Sequence, residues 1–230
     1  MPEAIRHREV SRLEGFSDAV FGFALTLLVV SLEAPKDIGE LRRLVAGLVP
    51  FALMFAMVVW IWYEHNIFFR RYGLQDTWTV FLNAVLLFVV LFYVYPLKFL
   101  TISLVGPLFM APEDVPHLSS DGSGWFVTLL YSAGVLAIFA AFALLHRHAW
   151  RQRAALELTP EEQLTLRFST RAHLLSMSLA VVSVAMLIVL PQHPAFAGML
   201  FGLMGPLHAW NGYKAHAAHD ALRKPLAPAE

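Results

Sequence analysis

An aspartate lies inside the first strongly apolar segment of this 230-residue chain. Asp18 follows Phe16 and Ser17, and the next stretch, residues 19–31, carries no charged side chain. An ionisable group at membrane depth is costly and is therefore a candidate functional site. A carboxylate in such a place needs hydrogen-bond donors, which other helices must supply.

Three polar residues of later apolar segments are suitable donors. His65 lies five residues before Arg70, Trp62 lies one turn deeper, and Asn83 lies near the start of the third apolar segment. At a rise of 1.5 Å per residue, Asp18 and His65 both lie roughly 8 to 9 Å from the nearest basic residues on the same side. An indole, an imidazole and an amide can each donate to a carboxylate. From spacing alone, two interpretations remain open: a shared polar cluster, or separate residues facing the headgroup zone.

At 100° per residue, the first segment has two different sides. One side is small and polar and comprises Ser11, Gly15, Asp18, Gly22 and Thr26. The other is large and apolar and comprises Phe16, Val20, Phe23, Leu27 and Val30. The small side predicts close packing on neighbouring helices. The apolar side indicates lipid contact or, if symmetry-related copies face one another, a hydrophobic constriction.

The composition places these residues in a membrane. Hydrophobic residues make up 58% of the chain and charged residues 15%, with a mean hydropathy of +0.60. Such values are typical of a multi-span membrane protein and predict one all-α domain over residues 1–230. The net charge of zero gives no support for nucleic-acid binding, and the lack of cysteine excludes disulfide and thiolate chemistry.

Six apolar runs are long enough to span a bilayer: 14–33, 44–68, 78–100, 125–146, 172–190 and 194–213. A cleaved signal peptide is the alternative for the first run, but acidic residues among the N-terminal arginines and a poor cleavage site favour a retained helix. Between the fourth and fifth runs, Thr159 and Pro160 have the features of a helix start and predict a short amphipathic cytoplasmic helix.

The basic residues predict the orientation. With both termini cytoplasmic, the inside segments hold thirteen of the 17 basic residues: Arg6, Arg8, Arg12, Arg70, Arg71, Arg147, Arg151, Arg153, Arg167, Arg171, Lys214, Arg223 and Lys224. The outside segments hold Lys36, Arg42, Arg43 and Lys98. This asymmetry follows the positive-inside rule for six spans with cytoplasmic termini.

Other candidate sites are weaker. His216 and His219 have a spacing that could bind a metal, but they lie in a polar tail without a second ligand pair. His146 and His148 flank the fourth run and are expected to be interfacial cationic anchors. No nucleophile elbow or metalloprotease motif is present, so the chain is not expected to be an enzyme, and no metal or cofactor is expected.

Several motifs together resemble the transmembrane protein 175 family of potassium channels. They are Arg12-x-x-x-Phe16-Ser17-Asp18, Thr26-Leu27-Leu28, Trp62-x-x-His65-x-x-Phe68, and Asn83 followed by Pro96. The resemblance is strong over residues 12–100, and beyond residue 100 it rests on the number of spans.

The resemblance implies a homotetramer of six-helix subunits in the lipid bilayer, with potassium as the permeant ion and a prokaryotic plasma membrane as the location. It implies that the first helices line the pore and that Phe23, Leu27 and Val30 form the constriction, with Thr26 beside them. The motif residues would pack instead against the second and third spans: Arg12, Phe16, Ser17 and Asp18, with Trp62, His65 and Asn83.

Two departures from the family pattern concern the pore. Phe23 stands where the family commonly has isoleucine or leucine, and Ala19 stands where it often has glycine. No T-V-G-Y-G-like segment is present, so selectivity cannot come from that carbonyl ladder.

Two alternatives to a channel are a proton-linked transporter that uses Asp18 and His65 as a relay, and a non-conducting membrane scaffold. A second Phe-Ser-Asp-like copy, expected for an internally repeated transporter, is absent from the sequence. That absence favours an oligomeric pore.

Overall fold

The computed structural model describes residues 9–116 and 122–223, and within these ranges every regular element is helical. The predicted cytoplasmic termini, with Arg6, Arg8 and Lys224, lie outside the described residues. The α-helices are α1 (Arg12–Val30), α2 (Ile38–Ala46), α3 (Leu48–Tyr72), α4 (Thr77–Val105), α5 (Ser123–Arg151), α6 (Pro160–Val189), α7 (Pro194–Met199) and α8 (Met204–Arg223). Short 3₁₀ turns occupy Gly106–Leu108, Pro112–Asp114 and Leu200–Leu203.

Local sequence signals explain where the helices begin and end. The Ser11 hydroxyl accepts from the backbone N–H of Glu14 while the Glu14 carboxylate accepts from the backbone N–H of Ser11, a reciprocal cap at the start of α1. Gly73 ends α3 in the left-handed conformation, at φ 57°, which glycine adopts without steric cost. Asp76 then caps α4 through the backbone N–H groups of Trp78 and Thr79.

Within the described residues, five helices are long and apolar enough to cross a membrane: α1, α3, α4, α5 and α6. The predicted sixth span, 194–213, is not one uninterrupted helix. It is divided among α7, the turn Leu200–Leu203 and the first half of α8. Gly198, Gly202, Gly205 and Pro206 disfavour a regular helix there, and α8 is much more polar than the other long helices.

Two differences from the sequence prediction concern helix boundaries. The segment before the second span forms the separate amphipathic helix α2, which begins at an Asp37 cap and ends at Gly47. The predicted short helix after Thr159 is instead continuous with the fifth span. Thr159 caps α6 as expected, but no glycine or proline follows Pro160 within the helix, so nothing interrupts it before Val189.

The helices pack in a sequential arrangement. α1 packs against α3 and α4, α4 packs against α5, and α6 lies between α5 and α8. α4 and α5 approach each other closely at Gly134, where a Cβ atom would overlap the ring of Tyr93. The Tyr93 hydroxyl donates to the carbonyl oxygen of Leu130 at 2.8 Å, which holds the ring in this position. Glycine is therefore required at residue 134 by packing.

Candidate functional site

The side chain of Asp18 is held by the second long helix. Trp62 Nε1 on α3 donates to Asp18 Oδ1 at 2.7 Å. Asp18 is half-buried on α1, and this bond crosses between two membrane-spanning helices. An indole N–H bound to a carboxylate is a charge-assisted hydrogen bond, the stronger kind. It therefore fixes the N-terminal half of α1 against α3.

A second, fully buried network joins three helices. His65 Nε2 on α3 lies 2.7 Å from Asn83 Oδ1 on α4, and Asn83 Nδ2 donates to Ser17 Oγ on α1 at 2.9 Å. The Ser17 hydroxyl donates in turn to the carbonyl oxygen of Leu13 at 2.8 Å. Because the amide oxygen of Asn83 can only accept, His65 carries its proton on Nε2. Each of the three hydrogen bonds from His65 to Asn83, from Asn83 to Ser17 and from Ser17 to Leu13 then has one donor and one acceptor.

Asp18 and Ser17 therefore belong to separate hydrogen-bonded groups. The sequence suggested one cluster around Asp18, but His65 and Asn83 bond to each other and to Ser17, while Asp18 bonds to Trp62. Asp18 and His65 share no hydrogen bond, so the structure gives no direct support to a proton relay between them. The Phe21 ring lies beside His65, with ring centroids 5.4 Å apart.

The buried stripe of α1 is not the predicted one. The small side was expected to pack on neighbouring helices, but a Cβ at Gly15 or Gly22 would have no heavy atom within 4 Å, and Thr26 is exposed. The buried residues of α1 are instead Glu14, Ser17, Phe21, Ala24 and Leu28. This stripe combines small residues, which allow close approach, with large apolar ones, which fill the space against α3 and α4.

The opposite face of α1 is largely exposed among the residues that the structure describes. Phe23 is 58% exposed and Val30 is 70% exposed, whereas Leu27 is half-buried at the edge of the core. The Thr26 hydroxyl donates to the carbonyl oxygen of Gly22 at 2.9 Å, so its oxygen lies on the exposed face. The exposed face is wider than the predicted apolar stripe, because it also includes Gly15 and Gly22.

Arg12 and Phe16, the first two motif residues, also lie on the exposed side of α1. Phe16 is 61% exposed, and Arg12 is exposed at the first residue of the helix. The seven-residue motif thus faces two ways. Its serine and aspartate bond to the other helices of the subunit, and its arginine and phenylalanine face away from them.

Sequence reasoning missed a residue that binds the far end of α1. Lys98 on α4 donates from Nζ to the backbone carbonyl of Ser31 at 2.7 Å and to Ser31 Oγ at 3.1 Å. A cation at a helix C-terminus stabilises the negative end of the helix dipole. In the sequence analysis Lys98 was only one of four outside basic residues. One clue could have identified its role: α1 has no basic residue in its own last turn, so a cation from another helix is needed there.

Replacing Lys98 with methionine should loosen the last turn of α1. The change keeps the apolar stem and removes the charged donor, at a cost on the order of 1 kcal/mol. Hydrogen–deuterium exchange should become faster over residues 27–31 and stay unchanged at the start of α1. Lys36→Met, which alters an exposed lysine of the following loop, is the matched control. Equal exchange in both variants would contradict the capping role.

The predicted anchors His146 and His148 have other roles. His146 is buried, with its Nδ1 2.8 Å from the carbonyl oxygen of Phe142, and its ring packs against Phe68 and His173. The prediction that His146 is an interfacial anchor is therefore wrong, because its side chain faces the interior of the helix bundle. His148 Nε2 donates to Asp76 Oδ2 at 2.9 Å, which ties the end of α5 to the start of α4.

Asp76 makes this junction sensitive to acid. Burial raises the pKa of Asp76, but hydrogen bonds from His148 and Thr79 outweigh it and lower the pKa from 3.8 to about 2. A carboxylate with a depressed folded-state pKa adds stability above its unfolded pKa and loses it as pH falls through the folded value. We expect the melting-temperature advantage of the wild type over Asp76→Asn to shrink between about pH 4 and pH 2. An advantage that is constant over this range would contradict the ionic role.

Within the described residues, these features define an all-α integral membrane protein whose first helix is packed on one face and exposed on the other. Residues 12–93 match the family described as endosomal/lysosomal potassium channel TMEM175. A Marivirga tractuosa protein named a potassium channel is 36% identical over 214 residues, which cover 89% of this chain and 87% of that protein. A Chamaesiphon minutus protein, also named a potassium channel, is 28% identical over 157 residues, which cover 65% of this chain and 70% of that protein.

Two solved structures share the fold. The crystal structure of a variant of the potassium channel MtTMEM175, bound to a nanobody fusion protein, has a TM-score of 0.80 at 33% identity and covers 94% of this chain and 98% of its own. A lysosomal potassium-selective channel TMEM175 homolog from Chamaesiphon minutus has a TM-score of 0.54 at 22% identity, covering 91% of this chain and 99% of its own. The chain belongs to the TMEM175 family. The named relatives are channels, in agreement with the prediction that the chain is not an enzyme.

Proposed function

We propose that this chain is one subunit of a homotetrameric, potassium-preferring cation channel whose pore is lined by α1. The observation that carries the proposal is the division of α1 into a buried face and an unpartnered apolar face. Phe23 and Val30 are more than half exposed, whereas Ser17 and Ser31 on the same helix are held by hydrogen bonds from Asn83 and Lys98 of α4. One such helix cannot enclose a pore, so several copies must meet around an axis.

The proposed subunit is a single domain with six membrane crossings and cytoplasmic termini. Five crossings are α1, α3, α4, α5 and α6. The sixth is the broken segment 194–213, which ends in the first half of α8 and whose interruption is tolerated where neighbouring helices satisfy its backbone. Asn211 on α8 donates to the backbone carbonyl of Phe168 on α6 at 3.0 Å and fixes that segment to the helix bundle.

The proposed gate is a ring of Phe23 side chains, with Leu27 and Val30 towards the outer end and Thr26 beside them. An apolar ring narrower than a hydrated ion excludes water and therefore ions until it widens. Thr26 places a hydroxyl oxygen beside this proposed gate, and the hydroxyl hydrogen is already donated to the carbonyl oxygen of Gly22. The hydroxyl oxygen is left with its lone pairs for a cation that has lost part of its hydration shell.

Two measurements test this proposal. Mass determination in detergent should give four copies of the 25.8 kDa chain, and a stable monomer or dimer would contradict the assembly. Reconstituted liposomes loaded with potassium should release it when a protonophore carries the compensating charge. If potassium moves only in strict exchange for protons, without net charge transfer, the channel assignment is wrong and a coupled transporter is indicated.

A further inference from the structure

Two arginines lie over one tryptophan at the end of α5. The guanidinium carbon of Arg153 is 4.8 Å from the Trp150 ring centroid, and that of Arg167, on α6, is 4.7 Å from it. The two carbons are therefore less than about 10 Å apart, which is comparable to the Debye length at physiological ionic strength. The indole face attracts both cations, but it cannot remove the repulsion between them. Binding of an anion between the two guanidinium groups would offset this repulsion.

The neighbouring carboxylates do not supply that anion. Glu161 binds Arg223, with Arg223 Nε 3.1 Å from Glu161 Oε1, and Glu162 caps the backbone of Thr159. Among the residues that the structure describes, neither Arg153 nor Arg167 has a carboxylate within 4 Å. Arg153 Nη1 also donates to the backbone oxygen of Trp150 at 2.9 Å.

A third arginine extends the same face. Arg171, one turn further along α6, has its guanidinium carbon 4.5 Å from the Trp210 ring centroid on α8. Tryptophan and arginine together are typical of the level where headgroups meet the hydrocarbon core. The two aromatic platforms hold three guanidinium groups at this level, so less side-chain entropy is lost when they bind an anion.

The surface below the arginines is suited to acyl chains. Leu174, Val181 and Ile188 follow Arg167 at seven-residue intervals on α6 and are 51%, 54% and 72% exposed. Seven residues are close to two helical turns, so all three lie on the same face as Arg167. The face therefore presents a cation at one end and, along the rest of the helix, an aliphatic path of these three side chains, with the exposed Ser178 between Leu174 and Val181.

We propose that Trp150, Arg153, Arg167 and the adjacent Arg171 form a binding site for the phosphate of an anionic phospholipid of the inner leaflet. Guanidinium groups match phosphate oxygens in a bidentate geometry, and basic sites on the cytoplasmic side of membrane helices bind anionic headgroups. The aliphatic path favours a lipid over free phosphate as the source of that anion. The inference rests on the proposed orientation, which places this end of α5 and α6 in the cytoplasm.

Native mass spectrometry of the purified assembly, titrated with phosphatidylglycerol or with phosphatidylcholine, tests the site. We expect phosphatidylglycerol to bind more tightly to the wild type. Arg153→Gln/Arg167→Gln should weaken this binding by about fivefold for each arginine removed. Arg70→Gln, at an exposed cytoplasmic arginine of α3, is the matched control for the loss of charge. If Arg70→Gln weakens binding by as much as each of the two arginines does, about fivefold, the effect is one of diffuse charge and the proposal is overturned.

Two further measurements identify the source of the anion and keep the test valid if the double variant misfolds. Inorganic phosphate at millimolar concentration should not displace phosphatidylglycerol, and full displacement would indicate a free-anion site instead. If the double variant does not assemble, Arg167→Lys keeps the charge and loses the planar stack, and it should still weaken phosphatidylglycerol binding. Unchanged affinity in that assembled variant would also overturn the proposal. Potassium flux in pure phosphatidylcholine liposomes tests the channel independently, so the two proposals can fail separately.

Discussion

Phe23→Ala should increase the potassium current and weaken the discrimination between potassium and sodium. Phe23 is the bulkiest of the three proposed constriction residues, and it is 58% exposed in the single chain. Removing four phenyl rings from around one axis would widen and hydrate the narrowest apolar segment, which lowers the barrier to both cations. The measurement is single-channel conductance and reversal potential with potassium on one side and sodium on the other.

Two controls separate the pore from the rest of the protein. Phe88→Ala removes a phenylalanine of α4 that is 69% exposed, more than Phe23, and it should leave conductance and reversal potential unchanged. Leu28→Ala alters a residue buried on the other side of α1, so it should lower stability without changing selectivity. The pore face is wrongly assigned if Phe23→Ala has no effect while Leu28→Ala changes both current and selectivity.

Asn83→Leu should greatly reduce the yield and thermal stability of the assembled protein. Leucine has a similar size, but it leaves His65 Nε2 without an acceptor and Ser17 Oγ without a donor in a fully buried site. Each unsatisfied buried group costs about 1 to 3 kcal/mol. The expected measurement is a lower melting temperature by intrinsic fluorescence, together with loss of the peak of the proposed tetramer in size-exclusion chromatography.

The matched control for this change is Asn66→Leu on α3. Asn66 is half-buried, and its side chain makes no hydrogen bond among the described residues, so the same substitution there should be nearly neutral. Asp18→Ala should also destabilise the assembly because it removes the acceptor of Trp62, but by less than Asn83→Leu, since Asp18 is only half-buried. A well-assembled Asn83→Leu channel with altered selectivity would place this network in the pore and contradict its structural role.

The sequence was sufficient to predict the membrane depth of the motif residues, because depth follows from regular helix spacing. A rise of 1.5 Å per residue placed Asp18, Trp62, His65 and Asn83 at one depth, and the structure brings these residues into two hydrogen-bonded groups. The partners within each group could not be predicted. They depend on the rotation of each helix about its axis, which packing decides and which hydropathy does not report.

The same limit explains the error over the packing side of α1. Small residues occupy two neighbouring sectors of this helix, and the sequence does not show which sector faces α3 and α4. Phe21 and Leu28 decide it, because burying them is more favourable than burying Gly15 and Gly22. Lys98 and α2 were missed for a different reason. Lys98 binds a residue 67 positions away in the sequence, and α2 is only nine residues long. Neither a distant contact nor a short helix produces a strong periodic pattern in the sequence.

Single-channel recording of the reconstituted protein in planar bilayers, with potassium chloride on one side and sodium chloride on the other, tests the central claim most directly. The account predicts discrete current steps at channel rates and a reversal potential displaced towards the equilibrium potential of potassium. Phosphatidylcholine bilayers should suffice for conduction, so the proposed lipid site does not enter the result. Bilayers that contain the intact tetramer but never show discrete openings, or openings that reverse at the chloride potential, would contradict the account.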